Sequence, residues 1–318
     1  MKRLPLLLLP LLSALSLDAS TLSFPGAQGY GAVATGGREG AVYHVTNLHD
    51  AGPGSFREAV RQGPRTVVFD VGGYIELRSP VAVASDLTIA GQTAPGEGIA
   101  TRNYSVSVSN SHNIILRYLR FRLGLTPGQD KKYAFGCYGA ERIMVDHCSI
   151  EWGRWDCIGM TKAKDITLQD CLIGEGVDPQ RFGCLCESEQ VTFLRNLWLN
   201  NQSRNPKAKG RIQYINNVVY NWGVTGLVGG HSEADHYLDM IGNYFVKGPD
   251  SKDAYVGGFT STDKVYQADN YADLDCDGVL NGRLAEEKDF GQTPEAPIFL
   301  RQRSLPLDVP VLPARAAW

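Results

Sequence analysis

The sequence has no marked surplus of either charge, and after its first 20 residues it has no long apolar run. Its 31 lysines and arginines nearly balance 34 aspartates and glutamates, which gives a net charge of -3. A near-neutral chain gives no reason to expect a nucleic-acid partner. Because no later stretch is apolar enough to cross a bilayer, we expect no membrane span.

The sequence also lacks the motifs of a zinc site, since it has no Cys-x-x-Cys pair and no histidine cluster. Its seven cysteines are an odd number, so up to three disulfides with one thiol left over remain possible in an oxidising compartment. Alternatively, cysteines serve as small apolar core residues. We favour that second interpretation for Cys148 and Cys171.

The long apolar run that does exist lies at the start of the chain. Lys2 and Arg3 precede a leucine-rich stretch, and small residues follow it in SALSLDAS. This pattern is typical of a secretory signal peptide over residues 1–20, too short and too interrupted by proline to be a membrane span. We therefore expect a secreted or periplasmic protein, and we expect it to act as a monomer.

Between about residues 113 and 246 the sequence repeats. The segments NIILRYLRF, RIMVDHCSI, DITLQDCLI, QVTFLRNLWL, RIQYINNVVY and YLDMIGNYFV superimpose with separations of 29, 23, 25, 21 and 26 residues. Their equivalent corner positions are Leu119, Cys148, Cys171, Asn196, Asn217 and Asn243. Asparagine suits a corner because it tolerates the left-handed conformation and can form side-chain ladders. The period predicts a parallel β-solenoid, in which no single unit could bury its apolar face alone. A β-sandwich would need tighter hairpin spacing.

The ends of the repeat region predict two further features. The segment GSFREAVRQG over 54–63 has Phe56, Ala59 and Val60 on one helical face, so we expect a short helix that caps the first coil. After about residue 250 the pattern fades, and the proline-rich segment 286–318 predicts a tail that lies on the surface or is disordered. The expected β-helix domain is thus 21–285. The loop from Asp273 resembles the start of an EF-hand, but Leu284 stands where a glutamate is needed, which favours a simple turn.

A short basic loop follows the strand pattern of residues 191–199. It contains Ser203, Arg204, Pro206, Lys207, Lys209 and Arg211. Pro206 fixes its own φ and disfavours helix at Asn205, so the basic side chains are expected on a stiff, extended connection. Such a loop after a strand is suited to holding an anionic substrate. The alternative is a solvated charge cluster.

Several motifs in order resemble the bacterial pectate lyases of polysaccharide lyase family 1. They are FPGAQGYGA (24–32), LTIAGQTAPGEGI (87–99), MVDHCSIEW (144–152), NQSRNPKAK (201–209) and YADLDCDGVLNGR (271–283). The resemblance covers residues 24–285. It implies a right-handed parallel β-helix and cleavage of polygalacturonate by β-elimination, with Ca²⁺ neutralising the uronate carboxylate.

The resemblance also implies site residues. Arg204 matches the catalytic arginine, which takes the C5 proton; Lys209, Lys207 and Arg181 would bind substrate carboxylates. Asp146 matches a calcium ligand, Asp156 falls where further acidic ligands are expected, and Glu151 could assist. Related chains often carry two adjacent acids after the tryptophan, whereas here Trp155 is followed by Asp156 alone, which predicts weaker calcium binding.

Two other functions remain open from the sequence. The first is a β-helix glycoside hydrolase of the polygalacturonase type, which would need a convergent group of carboxylates, and we find no clustered aspartate pair. The GGHS segment at 229–232 only faintly resembles a polygalacturonase histidine motif. The second is a non-catalytic uronide-binding protein that has lost its metal site.

Overall fold

The computed structural model describes residues 21–291, 296–306 and 309–317. The expected signal peptide therefore lies outside the described residues. The chain is a parallel β-solenoid with very little helix, as the repeats predicted. No helix in the described part of the chain is long and apolar enough to cross a membrane.

The described residues form short strands separated by turns. In chain order the strands are β1 (Ala41–Val45), β2 (Arg65–Phe69), β3 (Gly73–Glu76), β4 (Val81–Ala82), β5 (Leu87–Ala90), β6 (Ile99–Arg102), β7 (Val106–Ser107), β8 (His112–Arg117), β9 (Leu119–Arg122), β10 (Phe135–Gly136), β11 (Glu141–Asp146), β12 (Ser149–Glu151), β13 (Asp156–Gln169), β14 (Leu172–Gly174), β15 (Phe182–Leu194), β16 (Leu197–Leu199), β17 (Lys207–Ile215), β18 (Val218–Tyr220), β19 (Leu227–Val228), β20 (His236–Ile241), β21 (Tyr244–Val246), β22 (Val256–Gly257), β23 (Asp263–Ala268), β24 (Tyr271–Asp273), β25 (Arg283–Leu284) and β26 (Ile298–Phe299).

Each coil passes through three parallel faces. We call the face formed by β4, β7, β10, the first halves of β13, β15 and β17, and then β19 and β22 the groove sheet. The covered sheet runs from β1 and β2 through β5, β8, β11 and the second halves of the long strands to β20, β23 and β26. The third sheet runs from β3 to β24, with β25 added antiparallel. Register shifts at Thr161/Lys164 and Ser188/Val191 bend the long strands between the first two faces.

The core consists of columns of stacked apolar residues, one from each coil. One column in the covered sheet contains one residue from each of six successive strands, paired in register with the next. Its members are almost fully buried: Ile143, Ile166, Val191, Ile212, Leu238 and Val265. Because successive side chains of a strand point to opposite faces, alternating apolar residues give each coil an inward row. Stacking then buries a face that no single coil could bury, which is the physical origin of the sequence repeat.

An asparagine ladder fills the turn between the covered and third sheets. The Nδ2 group of Asn196 donates to Oδ1 of Asn217 at 3.0 Å, Asn217 donates to Asn243 at 3.2 Å, and Asn243 donates to Asn270 at 2.8 Å. Asn270 extends the ladder one coil beyond the predicted end of the repeat. The left-handed residue is the one before each ladder asparagine, for example Arg195 with φ 52°. Side-chain stacking, rather than backbone tolerance, therefore explains the asparagines.

The predicted capping helix is present as α1 (Phe56–Val60). The Ser55 hydroxyl accepts a hydrogen bond from the backbone N–H of Glu58 at 3.2 Å, which satisfies one free N–H of the first turn. Its buried face, including Phe56, packs toward β1, β2 and β4. The helix thereby covers the open end of the core. Four 3₁₀ turns span Tyr30–Val33, Gly91–Thr93, Glu287–Phe290 and Ala314–Ala316.

Two terminal segments lie across the outer side of the covered sheet. In the first, residues 21–40, the Gly31 N–H donates to Thr167 Oγ1 at 2.8 Å. In the second, residues 300–306 and 309–317, the Leu305 N–H donates to Asp239 at 3.0 Å, and the Leu312 N–H donates to Asn216 Oδ1 at 2.9 Å. The described part of the expected tail thus follows the surface of the solenoid. The domain boundary at 285 stays a prediction.

All seven cysteines are free thiols. Six are buried, Cys148 and Cys171 among them, and Cys276 is exposed. Burial raises the pKa of the Cys137 and Cys157 thiols to about 12. The six buried cysteines therefore act as small apolar core residues, and the alternative of a disulfide framework does not hold in this structure.

Candidate active site

The candidate site begins with a row of residues at the start of the groove sheet. Asp156, the first residue of β13, is paired in register with Phe182 of β15, and Phe182 forms a β-bridge with Ser203. Neighbouring strands lie about 4.8 Å apart, so the row brings residues from three coils side by side. This stacking explains how Asp156 meets the basic loop, from which it is separated by 48 residues in sequence.

Arg204 reaches back along this row to Asp156. Its Nη1 lies 3.2 Å from both carboxylate oxygens, and its guanidinium carbon lies 3.9 Å from the centre of the Phe182 ring. Arg204 adopts φ 61°, and its carbonyl accepts a hydrogen bond from the Cys184 N–H at 2.8 Å. The backbone and the ring together fix the direction of the side chain. The interaction with the ring is a cation–π contact.

The Asp156 carboxylate is fully buried. Burial raises its pKa from 3.8 to about 6, and the attraction of Arg204 and then Lys207 opposes this rise. Asp156 is therefore ionised at neutral and alkaline pH, where it carries one negative charge at the end of a basic loop. Such a perturbed carboxylate in a groove is a common mark of a functional site.

The two lysines of the basic loop point into the groove from β17. Lys207 lies opposite Leu185, and Lys209 lies opposite Glu187. The Lys209 ammonium lies 2.8 Å from the Glu187 carboxylate. Burial, followed by the charges of Arg204 and Lys209, lowers the pKa of Lys207. The loop thus presents three clustered cations, as the sequence indicated, and Glu187 is a groove residue that sequence reasoning missed.

The GGHS segment supports the basic loop from the next coil. His231 Nδ1 lies 3.1 Å from the Gly258 carbonyl, which can only accept, so this nitrogen carries the proton. His231 Nε2 then accepts a hydrogen bond from Lys207 Nζ at 3.1 Å. The proximity of the GGHS segment could not be read from the sequence, because it depends on which coils are adjacent.

Ser232 and His236 do not form a nucleophilic pair. The Gly210 N–H donates to His236 Nδ1 at 3.0 Å, so Nε2 carries the ring proton and donates to Ser232 Oγ at 2.7 Å. A histidine that donates to the serine cannot take its proton. Burial also lowers the pKa of His236, which favours this neutral form.

Arg181 lies outside the row. Its Nη2 donates to Gln202 Oε1 at 2.9 Å, and its Nε lies 3.6 Å from Asp178. The side chain lines a polar cleft of about 290 Å³ whose walls include neither Arg204 nor Asp156. Its side-chain contacts are thus with Gln202 and Asp178 and not with Arg204 or Asp156, and its role as a substrate contact stays a prediction.

Asp146 and Asp156, predicted to share one calcium, lie on different faces. Asp146 ends β11 in the covered sheet, where it is fully buried. It accepts hydrogen bonds from Arg117 Nε and Gln169 Nε2, both at 2.7 Å, and lies 3.0 Å from His147 Nδ1. Because Gln169 also contacts the N-terminal segment, Asp146 has a structural role there. The structure does not bring these two predicted ligands together, because the chain passes through β12 of the third sheet and turns two corners between them.

Glu151 lies on yet another face. It ends β12 in the third sheet, and its carboxylate forms an ion pair with Arg122 at 2.8 Å. Burial raises the pKa of Glu151, and Arg122 opposes the rise. Of the three predicted calcium ligands, only Asp156 therefore stands beside Arg204.

The oxygen donors at Arg204 suit a cation that is shared with substrate rather than caged by protein. Asp156 is the carboxylate at Arg204. Glu187, which pairs with Thr161, lies five residues further along the strands, at about 3.3 Å per residue, and contacts Lys209 instead. Calcium takes six to eight oxygens, so substrate carboxylates and water would have to supply the rest.

Two other acidic clusters in the described chain lie away from the groove sheet, and their carboxylates have partners within the protein. Asp146, His147 and Asp170 place one ligand atom each within 4.8 Å of one another, but Arg117 and Arg195 pair with the two carboxylates. In the EF-hand-like loop, Asp273 accepts from the Asn281 N–H and Asp277 accepts from the Val279 N–H. The loop therefore has the internal hydrogen bonds of an Asx-rich turn.

The chain as a whole is similar to known proteins in sequence and in fold. No family model matches the chain. A probable pectate lyase C from Aspergillus flavus is 41% identical over 281 residues, which are 86% of this chain. The chain spans 66% of the length of that relative.

Solved structures share the fold at low identity. A pectate lyase from Bacillus sp. N165 in complex with trigalacturonate superimposes with a TM-score of 0.58 and 17% identity, covering 92% of this chain and 96% of that one. Pectate lyase C from Erwinia chrysanthemi at pH 9.5 with 30 mM Ca²⁺ superimposes with a TM-score of 0.53 and 12% identity, covering 91% and 93%. Fold and sequence agree: the chain belongs to the pectate lyase family.

Proposed function

We propose that this protein is an exported pectate lyase that cleaves polygalacturonate by calcium-assisted β-elimination, with Arg204 as the base. The observation that carries the proposal is the Arg204 guanidinium, held over Phe182 at the buried Asp156 carboxylate and beside two groove lysines. The name of the Aspergillus relative and the trigalacturonate bound to the Bacillus protein support the same substrate class. We expect a monomer that acts outside the cytoplasm.

The substrate would lie in the groove along the solenoid axis. Lys207 and Lys209 project from one strand into this groove, so their ammonium groups can face successive uronate carboxylates. The His231 contact holds Lys207 in place, and Glu187 does the same for Lys209. The lysines act as point charges, which neutralise the carboxylates without the fixed fork of arginine.

Arg204 would remove the C5 proton next to the uronate carboxylate. An arginine is an unusual base because its pKa is so high. At rest the Arg204 guanidinium is paired with the Asp156 carboxylate at 3.2 Å. The ion pair with Asp156 must therefore weaken before Arg204 can accept a proton, and a cation on Asp156 would have that effect.

Calcium would be held by Asp156, with substrate carboxylates and water supplying its other oxygen ligands. When bound, it would neutralise the uronate carboxylate and stabilise negative charge at C5 in the transition state. The chain's own residues would orient the sugar and move the proton. The Erwinia pectate lyase structure obtained with 30 mM Ca²⁺ supports this choice of metal.

The proposal is tested by the ultraviolet absorbance of the unsaturated uronide that elimination leaves. We expect the absorbance to rise when the protein meets polygalacturonate at alkaline pH with added calcium, and to stop rising when a chelator is added. A hydrolase would instead release reducing ends without the chromophore, and a uronide-binding protein would give neither signal. Reducing ends without absorbance, or binding without turnover, would contradict the proposal.

A further inference from the structure

β-Elimination needs two proton transfers, and the proposed function, on which this inference rests, names a residue for only one. The C5 proton goes to Arg204, but the oxygen that leaves C4 must also gain a proton, because a sugar alkoxide is a poor leaving group. The donor has to face the same sugar ring as Arg204. It should therefore be an O–H or N–H group in the row around Asp156 that is not already engaged.

Tyr133 is placed at the end of that row by the strand register. Phe135 of β10 is paired with Ile158 of β13, so the residue two positions earlier, Tyr133, lies level with Asp156. The neighbouring Lys132 carbonyl accepts hydrogen bonds from the N–H groups of Arg154 and Trp155, both at 3.2 Å. These bonds hold the chain against the residues that lead into Asp156.

The ring of Tyr133 lies on the floor of the groove over Gly159. A methyl group on Gly159 would come within 2.4 to 2.7 Å of the ring atoms Cε2, Cδ2 and Cζ. Any side chain at position 159 would thus displace the ring. The absence of a Cβ at this position makes room for Tyr133 beside Asp156.

Tyr133 and Arg204 come from coils on opposite sides of the strand that begins with Asp156. The row runs from Tyr133 through Asp156 to Phe182, and the Arg204 guanidinium lies over Phe182. The Tyr133 ring reaches Gly159, three residues after Asp156 on β13. A sugar ring seated between Gly159 and Phe182 would therefore lie between the two groups.

The two lysines near Asp156 each use one N–H within the protein, and their remaining N–H groups are assigned above to the uronate carboxylates. Lys207 donates to His231, and Lys209 donates to Glu187. The hydroxyl of Tyr133 makes no hydrogen bond within the described part of the chain, and it is not among that part's fully buried unpaired polar atoms. The residue is half-buried, so its hydroxyl is free to meet a substrate oxygen.

We propose that Tyr133 is the proton donor to the departing oxygen. In this step the C5–H bond breaks and its proton goes to Arg204, while its electron pair forms the C4=C5 double bond. The C4–O bond breaks, and its oxygen takes the proton of the Tyr133 hydroxyl. Tyr133 is left as a phenolate and Arg204 as a guanidinium, and water returns both to their starting forms, so charge and protons balance.

Tyr133→Phe tests the proposal, because it removes only the hydroxyl. Tyr138→Phe is the matched control, since Tyr138 is an exposed tyrosine whose ring faces Lys162 at 5.6 Å. On polygalacturonate we expect Tyr133→Phe to lower kcat by about 10²- to 10³-fold with little change in KM, and the control to match the parent. Gly159→Ala, which displaces the ring, should lower kcat in the same direction.

A second substrate separates proton donation from damage to the site. A galacturonide that carries 4-nitrophenolate at C4 has a leaving group that needs no proton. We expect the parent and Tyr133→Phe to eliminate nitrophenolate at similar rates. Equal losses on both substrates, or an unchanged kcat on polygalacturonate, would overturn the assignment.

Two further outcomes are informative. If Lys207→Met, and not Tyr133→Phe, loses activity only on polygalacturonate, the donor is Lys207 and the proposal is wrong. If the parent forms no unsaturated uronide at all, the proposed function fails, which is distinguishable from an active parent that is indifferent to Tyr133.

Discussion

At the scale of single residues, the site depends on one long side chain that crosses from its own coil to another. Arg204 stays over Phe182 because its backbone is held in a left-handed conformation and its guanidinium is paired with a buried carboxylate. A side chain held in this way loses little freedom when substrate binds. Its geometry, and not only its charge, should therefore matter for turnover.

Replacing Arg204 by lysine keeps the charge and changes the reach and the fork geometry. We expect Arg204→Lys to lower kcat by about 10²- to 10⁴-fold, as is usual for loss of a general base, while substrate binding survives. Steady-state kinetics on polygalacturonate with calcium measure both parameters.

Arg195→Lys is the matched control for this change. Arg195 also pairs with an aspartate, Asp170, at 2.7 Å, but it lies at the turn between the covered and third sheets. We expect near-parental kinetics from it. A turnover of Arg204→Lys within about threefold of the parent would remove Arg204 from the mechanism.

The buried carboxylate of Asp156 predicts a pH dependence of stability. Its pKa is raised to about 6 in the folded chain from 3.8, so between about pH 4 and 6 the folded state holds more protons than the unfolded state. The unfolding free energy contributed by this group therefore falls as pH rises through that window, by on the order of 3 kcal/mol at most.

Comparison with Asp156→Asn isolates this effect, because other carboxyl groups titrate in both chains. Guanidinium unfolding at pH 4 and pH 7 gives the two free energies. We expect the stability of the parent relative to the variant to be lower at pH 7. A parent that gains stability over the variant between these pH values would show that the pairing with Arg204 outweighs burial.

At the scale of elements, the asparagine ladder fixes the spacing between successive coils at the corner between the covered and third sheets. Asn217 is fully buried, and its Nδ2 donates to the Phe193 and Ile215 carbonyls as well as to Asn243. Its Oδ1 accepts from the backbone and side chain of Asn196. Every polar atom of the side chain is thus used.

Asn217→Ala would leave several buried groups without partners. Each unsatisfied group costs about 1–3 kcal/mol, so we expect the unfolding free energy to fall by about 3 kcal/mol or more. The exposed Asn281, whose amide makes one 3.3 Å contact with Asp277, is the control and should change stability by less than about 0.5 kcal/mol. Equal losses from the two variants in urea unfolding would contradict the ladder's role.

The sequence predicts the elements well where a periodic constraint acts. Columns of apolar residues and the ladder asparagines recur once per coil, so the coils could be predicted without coordinates. The helix α1 could be predicted as well, because it has a capping serine and an apolar face. The coil that contains Asn270 was not predicted from the sequence, because lysine, tyrosine and glutamine replace part of the apolar pattern in β23.

The site was predictable in part for the same reason. Arg204, Lys207 and Lys209 share one loop, which puts them together in any fold. Asp146 and Asp156 share one short segment too, but the chain turns two corners between them, and spacing alone does not reveal a corner. Tyr133 and His231 come from other coils, so only the stacking order brings them to the groove.

At the scale of the whole molecule, the three faces have separate tasks. The groove sheet carries the candidate site, while the terminal segments lie over the covered sheet and satisfy polar groups such as Thr167 and Asp239. The groove is thereby left open along the axis, as a polymeric substrate requires.

The distribution of thiols over the molecule predicts a simple labelling result. Only Cys276 is exposed, and burial raises the pKa of the six core thiols, so their reactive thiolate forms are suppressed. We expect a thiol reagent to label one cysteine per folded chain quickly and seven after unfolding in guanidinium. Fewer than seven in the unfolded chain would reveal disulfides.

The six buried thiols also make the formation of wrong disulfides compete with the closure of the core during folding. In an oxidising compartment, an unfolded chain can form wrong disulfides for as long as its cysteines meet the solvent, and the coils that carry them close only when their neighbours stack. Once closed, the core shields the same sulfurs from oxidants. The yield of active protein should therefore depend on the redox history of the chain during synthesis far more than on the stability of the finished solenoid.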